Sequence, residues 1–279
     1  MTIKHIGKDV FESFNSVINS CKNPIVDNAI KFWDNDIKKI SFDLQVPFDF
    51  VVKRVRLHLP NISLSILEKA QFILMPDELN TSIRYSLKNY KEVYQKYLND
   101  SGGYKLLNHF NLKIKGHPNS YVELYNEKIN IYFGVVSEYI GEIIETELHY
   151  LMSNHEKAFV RYGMFLDGFR WPICYMSFVN IDRFYRIHSL SNCLNQDIID
   201  LQMLNLARVY GFGNLPENSI SKLFGHCNSQ FKQTDIYYIT TAINPLIGFK
   251  GTSMLASGFK PFALCPVSYS YDSTDCYIY

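Results

Sequence analysis

The residues best placed to do chemistry lie between Leu201 and Leu264. An apolar run ends in Arg208-Val-Tyr-Gly-Phe-Gly213, and a helix start follows at Pro216-Glu-Asn-Ser. A second run, Ile236-Tyr-Tyr-Ile-Thr-Thr-Ala, leads into Asn244-Pro-Leu-Ile-Gly-Phe-Lys-Gly251. A strand that empties into a glycine turn and then a helix N-terminus leaves several backbone N–H groups unpaired and aimed the same way. Such a turn holds a phosphate or pyrophosphate without dedicated basic side chains. Gly211, Gly213, Asn218 and Ser221 are therefore the candidate anion ligands, and Arg208 can clamp a phosphate bidentately from the end of the strand. Plainer roles remain open beside these: Asn218 or Ser219 as an ordinary helix cap, and Arg208 in a surface ion pair.

The next strand carries Tyr237 and Tyr238. Strand neighbours face opposite ways, so one tyrosine points at the cleft and the other at a helix-covered face; simple core packing is the alternative for either. Thr252 and Ser253 open a short helix after Gly251, where they can hydrogen-bond a leaving sulfur or a substrate edge, or merely cap. His226 and Cys227 are adjacent on a helix, and helix neighbours diverge by about 100°, so a Cys–His nucleophile is rejected. Phe165, Phe169, Trp171, Tyr175, Phe178, Phe184 and Tyr185 are interleaved with Arg161, Arg170, Arg183 and Arg186. A flipped base needs an aromatic platform and its phosphates need cations, although strand alternation alone also produces this mixture.

These residues need a scaffold, and the rest of the chain indicates which. Residues 8 to 40 read as helical, with Val10, Phe11, Phe14, Val17 and Ile18 and then Ile30, Phe32, Trp33 and Ile37 at helical spacing. Ile40 to Leu59 alternates in a way that suits strands, and Ser63 to Leu98 reads as a helical tract broken near Pro76. Val122 to Val136 reads as a hairpin around Asn126-Glu-Lys128, and Glu138 to Asn154 as an amphipathic helix. Then come strands from Phe159 to Leu166 and from Trp171 to Val179 about an Asp167-Gly168 turn. The remainder reads strand (198–210), helix (216–230), strand (236–243), short helix (251–258) and strand (262–270). Helices interspersed with strands around one sheet indicate an α/β or α+β protein rather than a bundle.

Composition narrows the function classes. With 28 Lys+Arg against 27 Asp+Glu the net charge is +1, so no global basic field points to nucleic acid. Six cysteines, Cys21, Cys174, Cys193, Cys227, Cys265 and Cys276, include no C-x-x-C pair and no histidine at ligand spacing. Reduced thiols are expected, with no metal site and no disulfide framework. No signal-peptide core and no membrane-length apolar run is present, which leads to the expectation of a cytoplasmic protein with no membrane partner.

The order helix, hairpin, long strand, glycine turn with helix N-terminus, strand and short helix resembles the GNAT superfamily of N-acyltransferases. Arg208-x-x-Gly211-x-Gly213 matches the superfamily's Q/R-x-x-G-x-G/A signature for the pyrophosphate of acyl-coenzyme A. Beyond it, Pro216-Glu-Asn218-Ser-Ile-Ser221, Thr241-Ala-Ile-Asn244 and Gly248-Phe-Lys-Gly251-Thr252-Ser-Met254-Leu-Ala256-Ser-Gly-Phe259 resemble Mom-type phage proteins that modify adenine in DNA. The resemblance covers about residues 159 to 265. It implies a GNAT-like mixed, mostly antiparallel sheet flanked by helices in residues 138–279, preceded by a helical and mixed module in residues 1–137.

The same resemblance implies an acyl-coenzyme A-dependent N-acyltransferase, with acetyl-coenzyme A or a related thioester as cofactor and a nucleobase amine in DNA as acceptor. Arg208, Gly211, Gly213, Asn218 and Ser221 would then bind the cofactor. Tyr238, Asn244 and Ser253 would carry catalysis, and Trp171, Tyr175 and Thr252 would bind substrate. Two departures stand out. Asn244 replaces an acidic residue and Met254 a tyrosine, and neither an amide nor a thioether relays a proton as a carboxylate or phenol does. A non-catalytic binding module and a conventional protein or small-molecule acetyltransferase are the alternatives.

Overall fold

A computed structural model describes residues 4–5, 24–58, 75–154, 158–180, 184–199, 202–261, 263–264, 270–271 and 277–278. The expected helical positions Val10 to Ile18, the stretch from Ser63 to residue 74, and Cys21, Cys265 and Cys276 lie outside the described residues.

The chain is mixed α+β, with one six-stranded, mostly antiparallel sheet flanked by helices. Strands β2 (Ser120–Leu124), β3 (Glu127–Val135), β4 (Ala158–Leu166), β5 (Cys174–Asn180), β6 (Met203–Gly211) and β7 (Tyr238–Thr240) lie side by side in that order. Every neighbouring pair is antiparallel except β6 and β7, which run parallel. A parallel pair needs a crossover rather than a tight turn, and helix α8 (Ser219–Phe231) supplies it. Elsewhere β1 (Lys4–His5) pairs with β8 (Ala263–Leu264), and β9 (Ser270–Tyr271) with β10 (Tyr277–Ile278).

On one face of the sheet α8 lays Phe231 against Phe178, with ring centroids 5.0 Å apart. The other face is covered by the helices that precede and interrupt the sheet. These are α1 (Pro24–Phe32), α2 (Asp34–Leu44), α3 (Phe48–His58), α4 (Asp77–Ser86), α5 (Tyr90–Ser101) and α6 (Glu138–Ile143). Tyr97 of α5 reaches that face, meeting Tyr210 at 5.5 Å and Trp171 at 6.2 Å. One buried cluster runs from Val26 on α1 to Met254 on α9 (Thr252–Ala256) and includes residues of every strand from β2 to β6. Helix α7 (Phe184–Leu194) connects β5 to β6.

Three local expectations are corrected. Ile40 to His58 lies in α2 and α3, joined through Gln45 in a left-handed conformation, and not in strands; Leu59 lies outside the described residues. Residues four apart satisfy both a period of two and a helical stripe; Val51 and Val55 are such a pair, and both are fully buried. Asp167-Gly168 does not close a two-residue hairpin. Residues 167–173 instead form a longer connection, because Tyr97 Oη donates to Pro172 O at 2.9 Å and Trp171 is buried against α5. Finally, the helix from Glu138 stops short of Asn154: α6 gives way to one wide π-turn at Ile144–Leu148, closed by His149 N donating to Ile144 O at 2.8 Å. The hairpin of β2 and β3 forms where expected, with Tyr125 and Asn126 at φ 47° and 69° in its turn. Among the described residues no helix is long and apolar enough to cross a membrane.

Candidate functional site

The parallel pair is short, and that makes a fork. β6 and β7 are in register at Met203 with Tyr238, Leu204 with Ile239 and Asn205 with Thr240, where β7 ends. β6 continues to Gly211, still paired with β5 on its other edge. Where the strands part, the Thr241 hydroxyl donates to Leu206 O at 2.9 Å and takes the place of the missing ladder bond. A bulge follows at once: Ser177 pairs with Arg208 and Phe178 with Leu206, leaving Ala207 as the extra residue. Bulges re-aim a strand and interrupt pairing.

Further along β6 the Val209 backbone is met by the imidazole of His149. Nδ1 of that ring accepts from Leu151 N at 3.2 Å, so the proton sits on Nε2, which is left to donate to the Val209 carbonyl. Burial, and then the charges of Arg208 and Lys53, hold the pKa of His149 well below the usual imidazole value. The ring is neutral near pH 7.

At the end of β6 the two glycines differ. A Cβ on Gly211 would stand 2.2 Å from Leu215 Cδ1, whereas one on Gly213 would meet nothing within 4 Å. Asn218 precedes α8 in a left-handed conformation (φ 64°), and its side chain makes no capping bond. Ser219 Oγ turns back to Pro216 O at 2.6 Å. Among the described residues no backbone carbonyl accepts from the N–H of Ile220 or Ser221. These are orphan donors of a helix start. The turn is braced by the connection after α5: Glu217 N donates to Leu112 O at 2.7 Å, and Asn214 Nδ2 donates to Leu107 O. Lys113 Nζ lies 3.9 Å from Glu217 Oε2.

Of the residues singled out from the sequence, Gly211, Gly213, Asn218 and Ser221 share this turn. Tyr238 opens β7, paired with Met203 two residues before the strands part, and is half-buried against the Leu190, Ile198 and Met203 cluster, with its hydroxyl 2.5 Å from Gln196 Nε2. Asn244 follows it, also half-buried. Thr252 and Ser253 are exposed at the start of α9, while Met254 is drawn into the main core. Arg208 sits in the body of β6 rather than at its end. It is 7% exposed, with Nη1 donating to Ala207 O at 3.0 Å and Nη2 to Ser153 O at 3.4 Å.

Trp171 and Tyr175 are buried beneath the helices, and Tyr175 is paired across the sheet with Tyr210, the neighbour of Gly211. Phe165 stacks on Tyr132 at 4.9 Å, and Phe178 is core. Arg170 is exposed and Arg161 buried, whereas the side chains of Arg183, Phe184, Tyr185 and Arg186 lie outside the described residues. His226 stacks on Phe133 at 5.4 Å. Cys227 is buried, and burial pushes its thiol pKa up.

Sequence reading missed a polar layer under the π-turn. Arg161, Ser177 and Arg208 are cross-strand partners on β4, β5 and β6, all buried. Glu145, fully buried on the π-turn, accepts from Tyr175 Oη at 2.5 Å and lies 3.6 Å from Arg161 Nε. Burial first, and the Glu145 charge second, raise the Tyr175 pKa, so the phenol stays protonated. The available signal was a glutamate inside the apolar stripe Ile144-Leu148, together with arginines at the inward positions of apolar strands. No protein-family model and no curated protein sequence matches the chain.

Proposed function

We propose that this protein is an acyl-coenzyme A-dependent N-acyltransferase, with the thioester lying in the fork between β6 and β7. The supporting observation is the series of parting parallel strands, glycine turn and unpaired amides at the start of α8. The amides of Ile220 and Ser221, with the uncapped Asn218 side chain and the open approach at Gly213, suit a diphosphate. The end of β6 beyond Val209, past the carbonyls taken by Thr241 and His149, suits an amide group of an extended pantetheine arm, as a sheet edge suits an added strand.

In the transfer, the acceptor amine attacks the thioester carbonyl; the C–N bond forms, the C–S bond breaks, and the amine proton leaves to solvent. Backbone N–H groups beside the fork stabilise the oxyanion. The Tyr238 phenol protonates the departing thiolate, and Asn244 and Ser253 orient the amine by hydrogen bonds. The acceptor in this reading is a nucleobase amine of DNA. Calorimetric titration with acetyl-coenzyme A tests the cofactor: binding by the wild type, lost in Asn218→Ala/Ser221→Ala, is expected. Absence of binding, or identical behaviour of the double variant, refutes it. Mass spectrometry of nucleosides from cells producing the protein tests the acceptor.

A non-catalytic binding protein built on the same scaffold is the second reading. Met254 in the core and an amide at Asn244 favour it, as does His149 already bonded to the Val209 backbone. Binding with no mass change in any offered acceptor would support it over catalysis.

A further inference from the structure

At the edge farthest from the fork, one face of the sheet is open to solvent. Along β2 and β3 the side chains of Val122, Leu124 and Ile131 are buried, whereas Glu123, Lys128, Asn130 and Tyr132 are exposed and Tyr121 is half-buried. Tyr121 stands opposite Asn130, Glu123 opposite Lys128, and Tyr132 opposite Phe165 of β4. Opposite residues share a face, and so do residues two apart on a strand, so these side chains form one surface. Glu127 alternates to the other face.

Tyr132 is the centre of this surface. It is 45% exposed, and one side of its ring stacks on Phe165, with centroids 4.9 Å apart and planes 6° from parallel. Its hydroxyl donates to Phe169 O at 3.0 Å. Burial first, and the Asp167 charge second, raise its pKa, so the phenol stays protonated and keeps that bond. The ring is thus held at both ends. Its second side looks toward β2, which begins only at Ser120, opposite Ile131; no strand residue faces Tyr132 there.

Two lysines border the ring. Lys105 Nζ lies 5.1 Å from the centroid of Phe169, and Lys128 Nζ lies 4.8 Å from that of Tyr121. Lys128 is four residues from Tyr132, about 13 Å along the strand. Among the described residues neither lysine has an ion pair. The nearby charges offset one another: Lys115 pairs with Glu123, and Asp167 and Arg170 are both exposed in the loop after β4. Two positive charges are left over. None of the β2 and β3 residues on this face is aliphatic, so it lacks the apolar centre of a protein interface. A rigid ring open on one side, a carboxamide beside it and unpaired cations around it match an unstacked base and its phosphates.

We propose that this face of β2 and β3 binds a single-stranded nucleic acid. A base stacks on Tyr132, Asn130 hydrogen-bonds its edge, and Lys105 and Lys128 meet the flanking phosphates. A duplex keeps its bases stacked on one another and offers no free plane. Gly134, Gly163, Tyr175 and Tyr210 form one cross-strand row, so Tyr132 is level with the end of β6, three strands or about 14 Å away. The bound strand therefore lies at the end of the sheet that carries the glycine turn. The surface depends on neither reading of the fork.

Fluorescence polarisation of the full chain without coenzyme tests it, using a labelled oligothymidylate of about 12 nucleotides, the matching duplex and an oligoglutamate of similar length. Single-strand binding at least tenfold tighter than either of the others is expected. Tyr132→Ala and Tyr132→Leu should each raise the single-strand Kd fivefold or more. Lys105→Ala and Lys128→Ala should each make the slope of log Kd against log salt shallower by about 0.7. Tyr132→Leu keeps an apolar cover over Phe165 but has no flat face, so it decides the matter where Tyr132→Ala does not fold. No single-strand binding, unchanged binding in Tyr132→Leu, or equal affinity for the three probes overturns the site. None of these results alters the coenzyme titration, and failure of that titration leaves this surface standing.

Discussion

Gly211 and Gly213 are two residues apart in one turn, yet replacing each by alanine has different consequences. A methyl at 211 would stand 2.2 Å from Leu215 Cδ1 and 3.3 Å from Leu215 Cγ, so the leucine must retreat by roughly 1 Å to regain ordinary contact. The colliding atom is the far end of a half-buried side chain, which places the cost near the low end of overpacking, about 1–2 kcal/mol. For a chain of this length that lowers the Tm by roughly 2–8 °C.

A methyl at 213 meets nothing within 4 Å and faces solvent, so Gly213→Ala leaves stability within about 0.5 kcal/mol of wild type. If a diphosphate lies against that turn, however, the same methyl stands in its approach, and coenzyme affinity falls about tenfold, equivalent to about 1.4 kcal/mol. Urea denaturation of the single variants and of Gly211→Ala/Leu215→Ala, with titration of Gly213→Ala, measures all of this. The double variant should relieve the clash and show a coupling of about 1 kcal/mol. Equal destabilisation by the two glycine variants, or no coupling at Leu215, would refute the packing argument. Unchanged coenzyme affinity in Gly213→Ala would refute the diphosphate placement.

Removing the Tyr175 hydroxyl (Tyr175→Phe) strips a buried hydrogen bond from the Glu145 carboxylate, and equilibrium unfolding should show a loss of about 1.5–3 kcal/mol. His149 has a folded-state pKa below its unfolded value, so the stability it confers is fully present above about pH 6.5 and is lost as pH falls toward the folded value. Denaturation followed from pH 8 to pH 5 should show a slope of up to about 1.4 kcal/mol per pH unit, reduced in His149→Asn; His226, also lowered by burial, contributes in the same direction. An unchanged slope in His149→Asn would count against a neutral buried ring. Peptide mapping after thiol alkylation should find Cys193 labelled in the native protein. Cys174, whose thiol burial pushes to about 12, and Cys227 should react only on unfolding.

How much of this was legible in the sequence depends on whether the deciding interaction is local. The hairpin of β2 and β3, and the order β6, α8, β7, α9, follow from turn residues and apolar period, which act over a few neighbours. Asp167-Gly168 has the right local chemistry for a tight turn, but burial of Trp171 against α5 and the bond from Tyr97 to Pro172, set by residues far away in the chain, pull the connection open. Ile40 to Leu59 misleads because Val51 and Val55 fit two periods at once. The π-turn had no sequence signal: its wide bond to Ile144 O depends on what Glu145 and Leu148 meet on the sheet. The candidate turn was readable as glycine then helix start. Arg208 was readable only as a cation, since its partner carbonyls belong to Ala207 beside it and to Ser153 on a distant segment.

The segment after the π-turn ties these points together. Arg54 Nη1 donates to Tyr150 O at 3.1 Å, Arg208 Nη2 to Ser153 O at 3.4 Å, and Arg161 Nη2 to Asn154 Oδ1 at 3.4 Å. Three guanidiniums from α3, β4 and β6 thus bond along residues 150–154, and the segment passes over the sheet face where the fork opens. Tyr150 also meets Phe249 at 5.1 Å, joining the segment to the loop after β7. Because His149 supplies Val209 with the bond that a longer β7 would have given, the fork can stay open without an unpaired buried carbonyl at that position. A longer β7 would close the fork and displace this ring together. The short parallel pair, the wide turn and the buried arginines therefore act as one device: the turn directs His149 inward, the arginines hold the segment that carries it, and Thr241 and His149 together cap the carbonyls of β6 that a longer β7 would have paired.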